Sequence, residues 1–321
     1  MSAPLTRPIT IAALCCTFIS VFALLVLMAG GSGSAPTAGP TGSGPRPGAG
    51  IHLEQRITQY AEGLSPRGGY RIPTEQERQM FTRAVGHVLD GDPEAARAEL
   101  SEIDCTLNTI TDAVGGRRYA ELTDEVAGPG ATRGWGRVYI SLDHSPRWSV
   151  QVPHPIADTR TELLGVRVLR GSPGGVLIIA GAHRDAATSG AADVAHRDDS
   201  VFNSVTTELA RRKLPGVQLH GFADESFRGR DAVVSTGIGD TAMPDAKRLT
   251  TALQRVGMSV CPAYSIRCKL AGRDNQQGRT AAAMQSRFVH LELNRTVRDS
   301  DVKLVQTATS ITTLTEQWSK P

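Results

Sequence analysis

The 321-residue sequence predicts an α/β fold with a mixed, largely parallel sheet and helices on both faces. From residue 117 onward, short runs typical of strands alternate with longer runs of helical periodicity. One run, residues 175–181 (GVLIIAG), is apolar throughout, as expected for a strand that is buried on both faces. Histidine or glutamate residues end several of the predicted strands, which is where the sites of such sheets collect.

Residues 1–30 predict a transmembrane signal-anchor. The stretch from Ile9 to Met28 is almost wholly apolar, and about 20 such residues are needed to cross a bilayer. Arg7 precedes the stretch and no basic residue follows before Arg46, which favours an inside amino terminus and an extracellular C-terminal domain. A cleaved secretion signal is the alternative, because small residues follow the apolar run and would suit a cleavage site. Residues 31–50, rich in Gly, Ser and Pro, predict a flexible linker.

Residues 51–116 predict a helical N-terminal region. Thr74 and Glu77 form a capping-box pattern in front of apolar residues at helical spacing. Asp92 is suited to cap a second helix, with Pro93 as its first residue. No catalytic grouping is evident in this region.

Residues 117–321 predict the α/β domain that carries the chemistry. The predicted strands cover 118–123, 136–141, 148–152, 175–181, 217–220, 232–235 and 288–292. One predicted helix begins at Asp199, and two further helices are predicted over 246–256 and 301–318.

Composition and cysteine content narrow the function classes. A net charge of +3 without a dense Lys/Arg block gives no reason to expect a nucleic-acid partner. No CxxC motif occurs, so a thiolate zinc site is not expected. Cys261 and Cys268 flank Pro262 closely enough for a disulfide in an oxidising compartment. The alternative is three free buried thiols, which include Cys105.

The stretch from Val150 to Glu162 is the strongest candidate for a metal site. His154 follows a strand, and Pro155 is suited to the first position of a helix. Asp158 and Glu162 would then share one helical face that the histidine approaches. The alternative is an ordinary capped helix with a solvated acidic face.

Two further strand ends complete the candidate centre. His220 ends one predicted strand and Glu292 another. Catalytic zinc typically takes three protein ligands from His, Asp or Glu and leaves a position for water. His154, Asp158 and His220 fit that pattern, and Glu292 is suited to be the general base that takes a proton from the water.

These residues carry a resemblance to a known family. Residues 152–163 resemble the "PHGG-x-IE-x-GTSE" signature of the poly-γ-glutamate hydrolases, a family that includes the phage-related replication proteins and is similar in fold to zinc carboxypeptidases. Four later stretches resemble further family motifs in the expected order: 218–222 (QLHGF), 234–237 (VSTG), 274–278 (DNQQG) and 289–298 (VHLELNRTVR). The resemblance covers about residues 150–300.

The resemblance implies Zn2+ held by His154, by an acidic residue just after it and by His220, with Glu292 as general acid and base. It implies that Arg298, or less well Arg279, pairs with a substrate carboxylate. The motif glycines are replaced here by Pro155 and Ile156, and the first acidic position carries Asp instead of Glu. Asp158 is therefore the expected third ligand, with Glu162 as its substitute, and loss of the metal stays an alternative.

A second polar cluster has no equivalent in the family motifs. His183 and Arg184 end the most buried predicted strand and are expected to bind substrate near the metal, as is Asn275 in the loop before residue 278. Asp193 and His196 either support the metal ligands or belong to a solvated loop. No G-x-S-x-G elbow accompanies Ser200, so a serine hydrolase is not expected.

The sequence thus predicts a membrane-anchored, extracytoplasmic zinc hydrolase. Its substrate would be an acidic polymer or a peptide-like molecule, cleaved at an amide bond, with γ-glutamyl or cell-wall peptides as the class that the resemblance suggests. The alternative from another class is a non-catalytic cell-surface binding or scaffold protein that keeps the fold.

Overall fold

The computed structural model describes residues 50–124 and 133–320. The predicted membrane anchor (1–30) and the predicted linker up to residue 49 lie outside the described residues. Within the described ranges, none of the helices combines the length and the apolar composition that a membrane span requires.

In the described part of the chain, three helices come first, four consecutive strands follow from residue 106, and helices and strands then alternate from residue 161 to residue 294. The helices are α1 (Leu53–Glu62), α2 (Glu75–Leu89), α3 (Pro93–Ser101), α4 (Thr161–Gly171), α5 (Val201–Arg211), α6 (Met243–Arg255), α7 (Gln276–Ala283), α8 (Arg295–Asp299) and α9 (Asp301–Trp318). The strands are β1 (Thr106–Thr111), β2 (Arg118–Thr123), β3 (Arg137–Ser141), β4 (Trp148–Val152), β5 (Gly175–Ile179), β6 (Gly216–Phe222), β7 (Ala232–Ser235), β8 (Val260–Pro262) and β9 (Phe288–Asn294).

The described strands form one mixed sheet in the order β1-β2-β3-β5-β4-β6-β9-β7-β8. The pairs β4–β5, β4–β6, β6–β9 and β7–β8 are parallel. The other four pairs are antiparallel. The prediction of a mixed α/β sheet is confirmed, but "largely parallel" holds only for the centre, β5-β4-β6-β9. The meander β1-β2-β3 and the reversed strand β7 make half of the pairs antiparallel.

Helices cover both faces, as predicted, because alternate residues of the strands feed two different apolar clusters. Leu177 and Ile179 of β5 belong to a cluster with α1, α4, α6 and α9. Val176 and Ile178 belong to a second cluster with α2, α3 and α5. This is the period-2 geometry of a strand that is buried on both faces.

The predicted helical region 51–116 differs from the structure at its end. Residues 106–111 form the edge strand β1, which pairs with β2. The region is divided between the two layers, since Leu53 of α1 lies in one apolar cluster and Phe81 of α2 in the other. The two buried residues of β1, Leu107 and Ile110, are three residues apart, a spacing that resembles a helix, but in the strand they point to opposite faces and belong to different apolar clusters.

Local signals read from the sequence are found where they were expected. Thr74 caps α2 with a complete capping box, and Asp92 caps α3 with Pro93 in its first turn. Cys261 and Cys268 form the disulfide, and Cys105 is a free, buried cysteine. The disulfide alternative is therefore the correct one of the two that the sequence left open.

Candidate metal centre

The three central strands carry a polar cluster on one face only. Gln151 of β4 pairs in register with Gln218 of β6. On the other side of β6, Gln218 lies opposite His290 and His220 opposite Glu292, both on β9. Because side chains two residues apart point to the same face, these residues form one contiguous polar surface.

The turn after β4 brings an aspartate to this surface. The predicted helix start at Pro155 is wrong, because residues 155–160 are turns and α4 begins at Thr161. The Asp158 amide donates to the His154 carbonyl, and Arg160 has a positive φ of 69°. Asp158 therefore lies before the helix, Glu162 lies in its first turn, and the two do not share a helical face.

His154 and His220 both approach Asp158 at separations close to those between the ligands of a tetrahedrally coordinated ion. Asp158 Oδ2 lies 3.2 Å from His154 Nδ1 and 3.3 Å from His220 Nδ1. Ligand atoms at zinc distances of about 2.0–2.2 Å would be separated by roughly 3.3–3.6 Å on a tetrahedron. The three side chains are buried, and their ligand atoms all lie within 4.8 Å of one another. This group fits a three-ligand centre of the catalytic type.

The far nitrogen of His154 is held by a carboxylate. His154 Nε2 lies 2.9 Å from Asp193 Oδ1. Asp193 is itself fixed by Arg184, which donates to its Oδ2, and by His196, whose Nδ1 lies 3.1 Å from Oδ1. A carboxylate behind a histidine is the usual support of a metal-binding imidazole, because it fixes the ring and the tautomer. Of the two readings of Asp193 and His196, the structure favours support of the ligand over a solvated loop.

The pKa shifts of the group favour ionised carboxylates, which a cation would stabilise. Burial alone would raise the pKa of Asp158, but the neighbouring imidazoles of His154 and His220 hold that pKa well below its ordinary value. Burial lowers the pKa of His154, yet Asp158 and Asp193 together raise it. Burial lowers the pKa of His220. Asp158 and Asp193, whose pKa is lowered in the same way, are therefore ionised and paired with imidazoles.

Glu292 and His290 lie beside this group. His220, His290 and Glu292 form a second set of ligand atoms within 4.8 Å of one another. Burial and the charge of Asp158 raise the pKa of Glu292 well above its ordinary value, and burial lowers that of His290. His290 was missed at the sequence level. Its signal was the His-x-Glu spacing, which places both side chains on one face of a strand.

A cleft of about 1000 Å³ opens onto the cluster. His154, His220, His290 and Glu292 form its floor. Its wall is the stretch 263–275, which the Cys261–Cys268 disulfide anchors at one end. Arg267 and Arg273 of this wall are exposed. Among the described residues, neither has a carboxylate within ion-pair distance, whereas Arg184 is paired with Asp193.

Arg298 does not have the predicted substrate-binding role in this structure. Its guanidinium is buried and donates to the carbonyls of Leu293, Phe222 and Thr159 and to the Thr159 hydroxyl. A Cβ at residue 221 would lie 2.4 Å from Arg298 Nε, so only glycine lets the side chain cross β6. Arg298 thus fastens the turn that carries Asp158. Its predicted substitute Arg279 is exposed and pairs with Asp274.

The other predicted substrate-binding residues are placed differently as well. Asn275 is buried at the edge of the cleft; its side chain accepts from the Gly278 amide at the start of α7 and donates to Gln218, so its polar atoms are bonded inside the protein. His183 accepts from the Asp185 amide and does not line the cleft. Arg184 does line the cleft. Glu162, the substitute ligand, is buried but belongs to neither set of ligand atoms.

No protein-family model matches the sequence, and no curated protein matches it. Three solved structures show a distant similarity. An N-formylglutamate amidohydrolase from Ralstonia eutropha JMP134 is 13% identical with a TM-score of 0.39, over 54% of this chain and 93% of that chain. A metallo-carboxypeptidase from Pseudomonas aeruginosa is 12% identical with a TM-score of 0.34, over 70% and 68%. The LapA aminopeptidase of Legionella pneumophila is 11% identical with a TM-score of 0.34, over 89% and 79%.

At these identities and scores the similarities carry no argument about this chain. The resemblance of its motifs to the poly-γ-glutamate hydrolase family therefore stays a prediction. The chemistry has to be argued from the residues of the cleft themselves.

Proposed function

We propose that the protein is a zinc-dependent hydrolase that cleaves an amide bond in an acidic or peptide-like substrate. The single observation that carries this proposal is the group His154 Nδ1, Asp158 Oδ2 and His220 Nδ1, with separations of 3.2 and 3.3 Å around the carboxylate oxygen. Two imidazoles and one carboxylate are a ligand set that zinc accepts, and a fourth position remains for water or substrate. The group lies at the floor of an open cleft, as a catalytic site requires.

Glu292 is the proposed general base. Bound zinc would polarise the substrate carbonyl and lower the pKa of a water molecule. Glu292 would accept the proton of that water and donate it to the leaving amine. The negative charge of Asp158 is one of the two causes that raise the pKa of Glu292. A cation beside Asp158 offsets that charge, which would bring the carboxyl closer to the ionised form that a base needs.

The proposed substrate class is anionic, with a γ-glutamyl or cell-wall peptide as the first candidate. Arg267 and Arg273 give the cleft wall positive charge, and no described carboxylate lies within ion-pair distance of either guanidinium. A guanidinium offers a planar fork of donors that matches a carboxylate. These two arginines take the role that the sequence assigned to Arg298.

The proposed location is outside the cytoplasmic membrane. The apolar stretch from Ile9 to Met28 would anchor the chain or direct its secretion. The Cys261–Cys268 disulfide supports this location, since disulfides persist in oxidising compartments.

The test is hydrolysis by the purified full-length chain. With zinc restored after chelation, we expect release of glutamate from γ-glutamyl peptides, faster than release from peptides that lack free carboxylates. A zinc-bound chain that hydrolyses neither class, and binds them without turnover, would overturn the hydrolase in favour of a cell-surface binding protein.

A further inference from the structure

We propose that Gln218 is a positioning residue that fixes the tautomer of His220, so that Nδ1 is the nitrogen available to a metal ion. The proposal rests on the proposed metal site, but its central statement concerns the imidazole itself. It assigns a role to buried amides that the proposed mechanism does not use.

Gln218 lies at the centre of a buried amide network under the cleft. Its Nε2 is 3.1 Å from Gln151 Oε1 and 3.1 Å from Gln277 Oε1. Its Oε1 is 2.8 Å from His220 Nε2 and accepts a hydrogen bond from Asn275 Nδ2. All five side chains are buried, so each polar atom needs a partner within the protein.

Backbone groups determine which way these amides point. The two ends of an amide side chain look alike, and only the hydrogen-bond network assigns them. A backbone carbonyl can only accept, whereas a backbone N–H can only donate. A chain of amides that ends on such groups therefore has one orientation.

The first such anchor is the Val194 carbonyl. It lies 2.9 Å from the amide end of Gln277, which must therefore be Nε2. Gln277 consequently turns its Oε1 toward Gln218. The atom of Gln218 that faces this oxygen must be a donor, so the opposite atom, which faces His220, is Oε1.

The second anchor is the Gly278 amide, and it acts through a different residue. Gly278 N donates to the side-chain oxygen of Asn275 at 2.9 Å. Asn275 therefore turns its Nδ2 toward Gln218, where it requires an acceptor. Both anchors independently place Oε1 of Gln218 against His220 Nε2.

The consequence for His220 follows from its own hydrogen-bonding inventory. A neutral imidazole carries one N–H, and both nitrogens of His220 face an acceptor: Nε2 lies 2.8 Å from Gln218 Oε1, and Nδ1 lies 3.3 Å from Asp158 Oδ2. Gln218 is the nearer acceptor, and Asp158 Oδ2 is shared with His154 Nδ1 at 3.2 Å, so the proposed tautomer carries its proton on Nε2 and presents the lone pair of Nδ1 toward Asp158. The other neutral tautomer would carry its proton on Nδ1, the nitrogen that the metal ion needs.

The two histidines are thus oriented by different chemistry. His154 has a charged support, Asp193, whereas His220 has a neutral one, the Gln218 amide. A carboxylate behind His220 would face the oxygen of Gln277, which the Val194 carbonyl keeps in place, and the oxygen of Gln151. The neutral amide satisfies all four neighbours at once.

The experiment compares Gln218→Leu and Gln218→Glu in the full-length chain. Gln218→Leu removes the acceptor, and we expect zinc affinity to fall about 10- to 100-fold, as on loss of other supports of metal ligands. The carboxylate in Gln218→Glu still accepts from His220 Nε2, so we expect zinc affinity within about tenfold of the wild type. Because this carboxylate also faces two buried oxygens, we expect a lower melting temperature. A purely structural role predicts that both variants lose zinc affinity together with stability.

The matched control is Gln151→Leu. Gln151 belongs to the same buried network and contacts Gln218, but it does not contact His220. We expect a lower melting temperature with zinc affinity unchanged, measured by competition with a chromophoric chelator. Loss of zinc affinity equal to that of Gln218→Leu would overturn the proposal.

The direct readout is the ¹⁵N spectrum of chains labelled at histidine. We expect the His220 signals to show Nε2–H, both with zinc and in the metal-free protein at a pH where the ring is neutral. An Nδ1–H signal would overturn the proposal. The metal-free spectrum separates this result from the proposed function, because the tautomer is set by Gln218 whether or not zinc binds.

Discussion

The two faces of the central sheet are built from the same three strands, but one face is apolar and the other is polar. On one face, Val150 of β4, Leu219 of β6 and Leu291 of β9 belong to a closed apolar cluster. On the other face, Gln151, His220 and Glu292 of the same strands lie under the cleft. Period-2 alternation lets one strand serve both faces without a change of register.

The difference shows how this fold separates stability from chemistry. The apolar face stabilises the protein through burial, at about 25 cal/mol for each Å² removed from water. The polar face requires a partner for each buried group, because an unpaired one costs roughly 1–3 kcal/mol. Mutations on the two faces should therefore affect different observables.

The largest expected effect is on the polar face. Glu292→Gln should lower kcat for amide hydrolysis by roughly 10²–10⁴-fold, since it removes the proposed proton acceptor and leaves the shape of the cleft intact. Zinc content, measured by elemental analysis, should stay at the wild-type level. Unchanged turnover with zinc bound would remove Glu292 from its role.

The apolar face should give the opposite pattern. Leu219→Ala, between Gln218 and His220 in sequence, truncates a fully buried side chain and should lower the free energy of unfolding by about 2–5 kcal/mol. Zinc bound per folded chain should not change, because Leu219 points away from the site. Denaturant unfolding and a zinc assay on the same sample test both statements. A loss of zinc without a loss of stability would break the separation of the faces.

A smaller effect is expected at Glu162, whose pKa burial raises from 4.5 to about 7. The folded protein then holds a proton that the unfolded chain loses above about pH 4.5, so stability falls as pH rises through about 7. At about pH 4.5, Glu162→Gln should leave the free energy of unfolding nearly unchanged. At about pH 8, it should increase the free energy of unfolding by up to about 3 kcal/mol.

Denaturant unfolding at both pH values measures this difference. The matched control is Glu102→Gln, the same substitution at an exposed position, against which the effect of Glu162→Gln is compared at each pH. Equal stabilisation of Glu162→Gln at both pH values would contradict a protonated carboxyl at this position.

The smallest effect is expected at the cleft wall. Arg267→Ala and Arg273→Ala should each raise KM for an anionic substrate by roughly tenfold or less with kcat unchanged, because exposed charge pairs contribute about 1 kcal/mol. Arg279→Ala is the control. Arg279 is exposed and close to Arg273 in the sequence, but it pairs with Asp274 and does not line the cleft. Equal effects of all three variants would indicate a general charge effect.

Much of this arrangement could be read from the sequence, where local patterns carry the information. Alternation and apolar runs located the strands, and residues 301–318 were predicted with the bounds that α9 has. His154, Asp158, His220 and Glu292 were singled out because strand ends meet at one edge of an α/β sheet. The structure brings these four side chains together.

Other features depend on contacts that local patterns do not encode. Arg298 looked like a free cation, but the absence of a side chain at Gly221 lets it reach three carbonyls inside the protein. The turns at 155–160 replace the predicted helix because Arg160 has a positive φ of 69°, which interrupts helical geometry before α4 begins at Thr161. Strand order places Gln218 beside Gln151, and the packing of α7 places Gln277 against it; neither is visible in any one motif.

The central claim is that His154, Asp158 and His220 hold one zinc ion. The most direct test is the zinc content of the full-length chain after exposure to zinc and desalting, measured beside Asp158→Asn. We predict about one zinc per wild-type chain and a strong loss in Asp158→Asn, because the amide lacks the charge that three-ligand centres of this kind use. A zinc-free wild-type chain, or an Asp158→Asn variant that keeps its zinc in full, would contradict the claim.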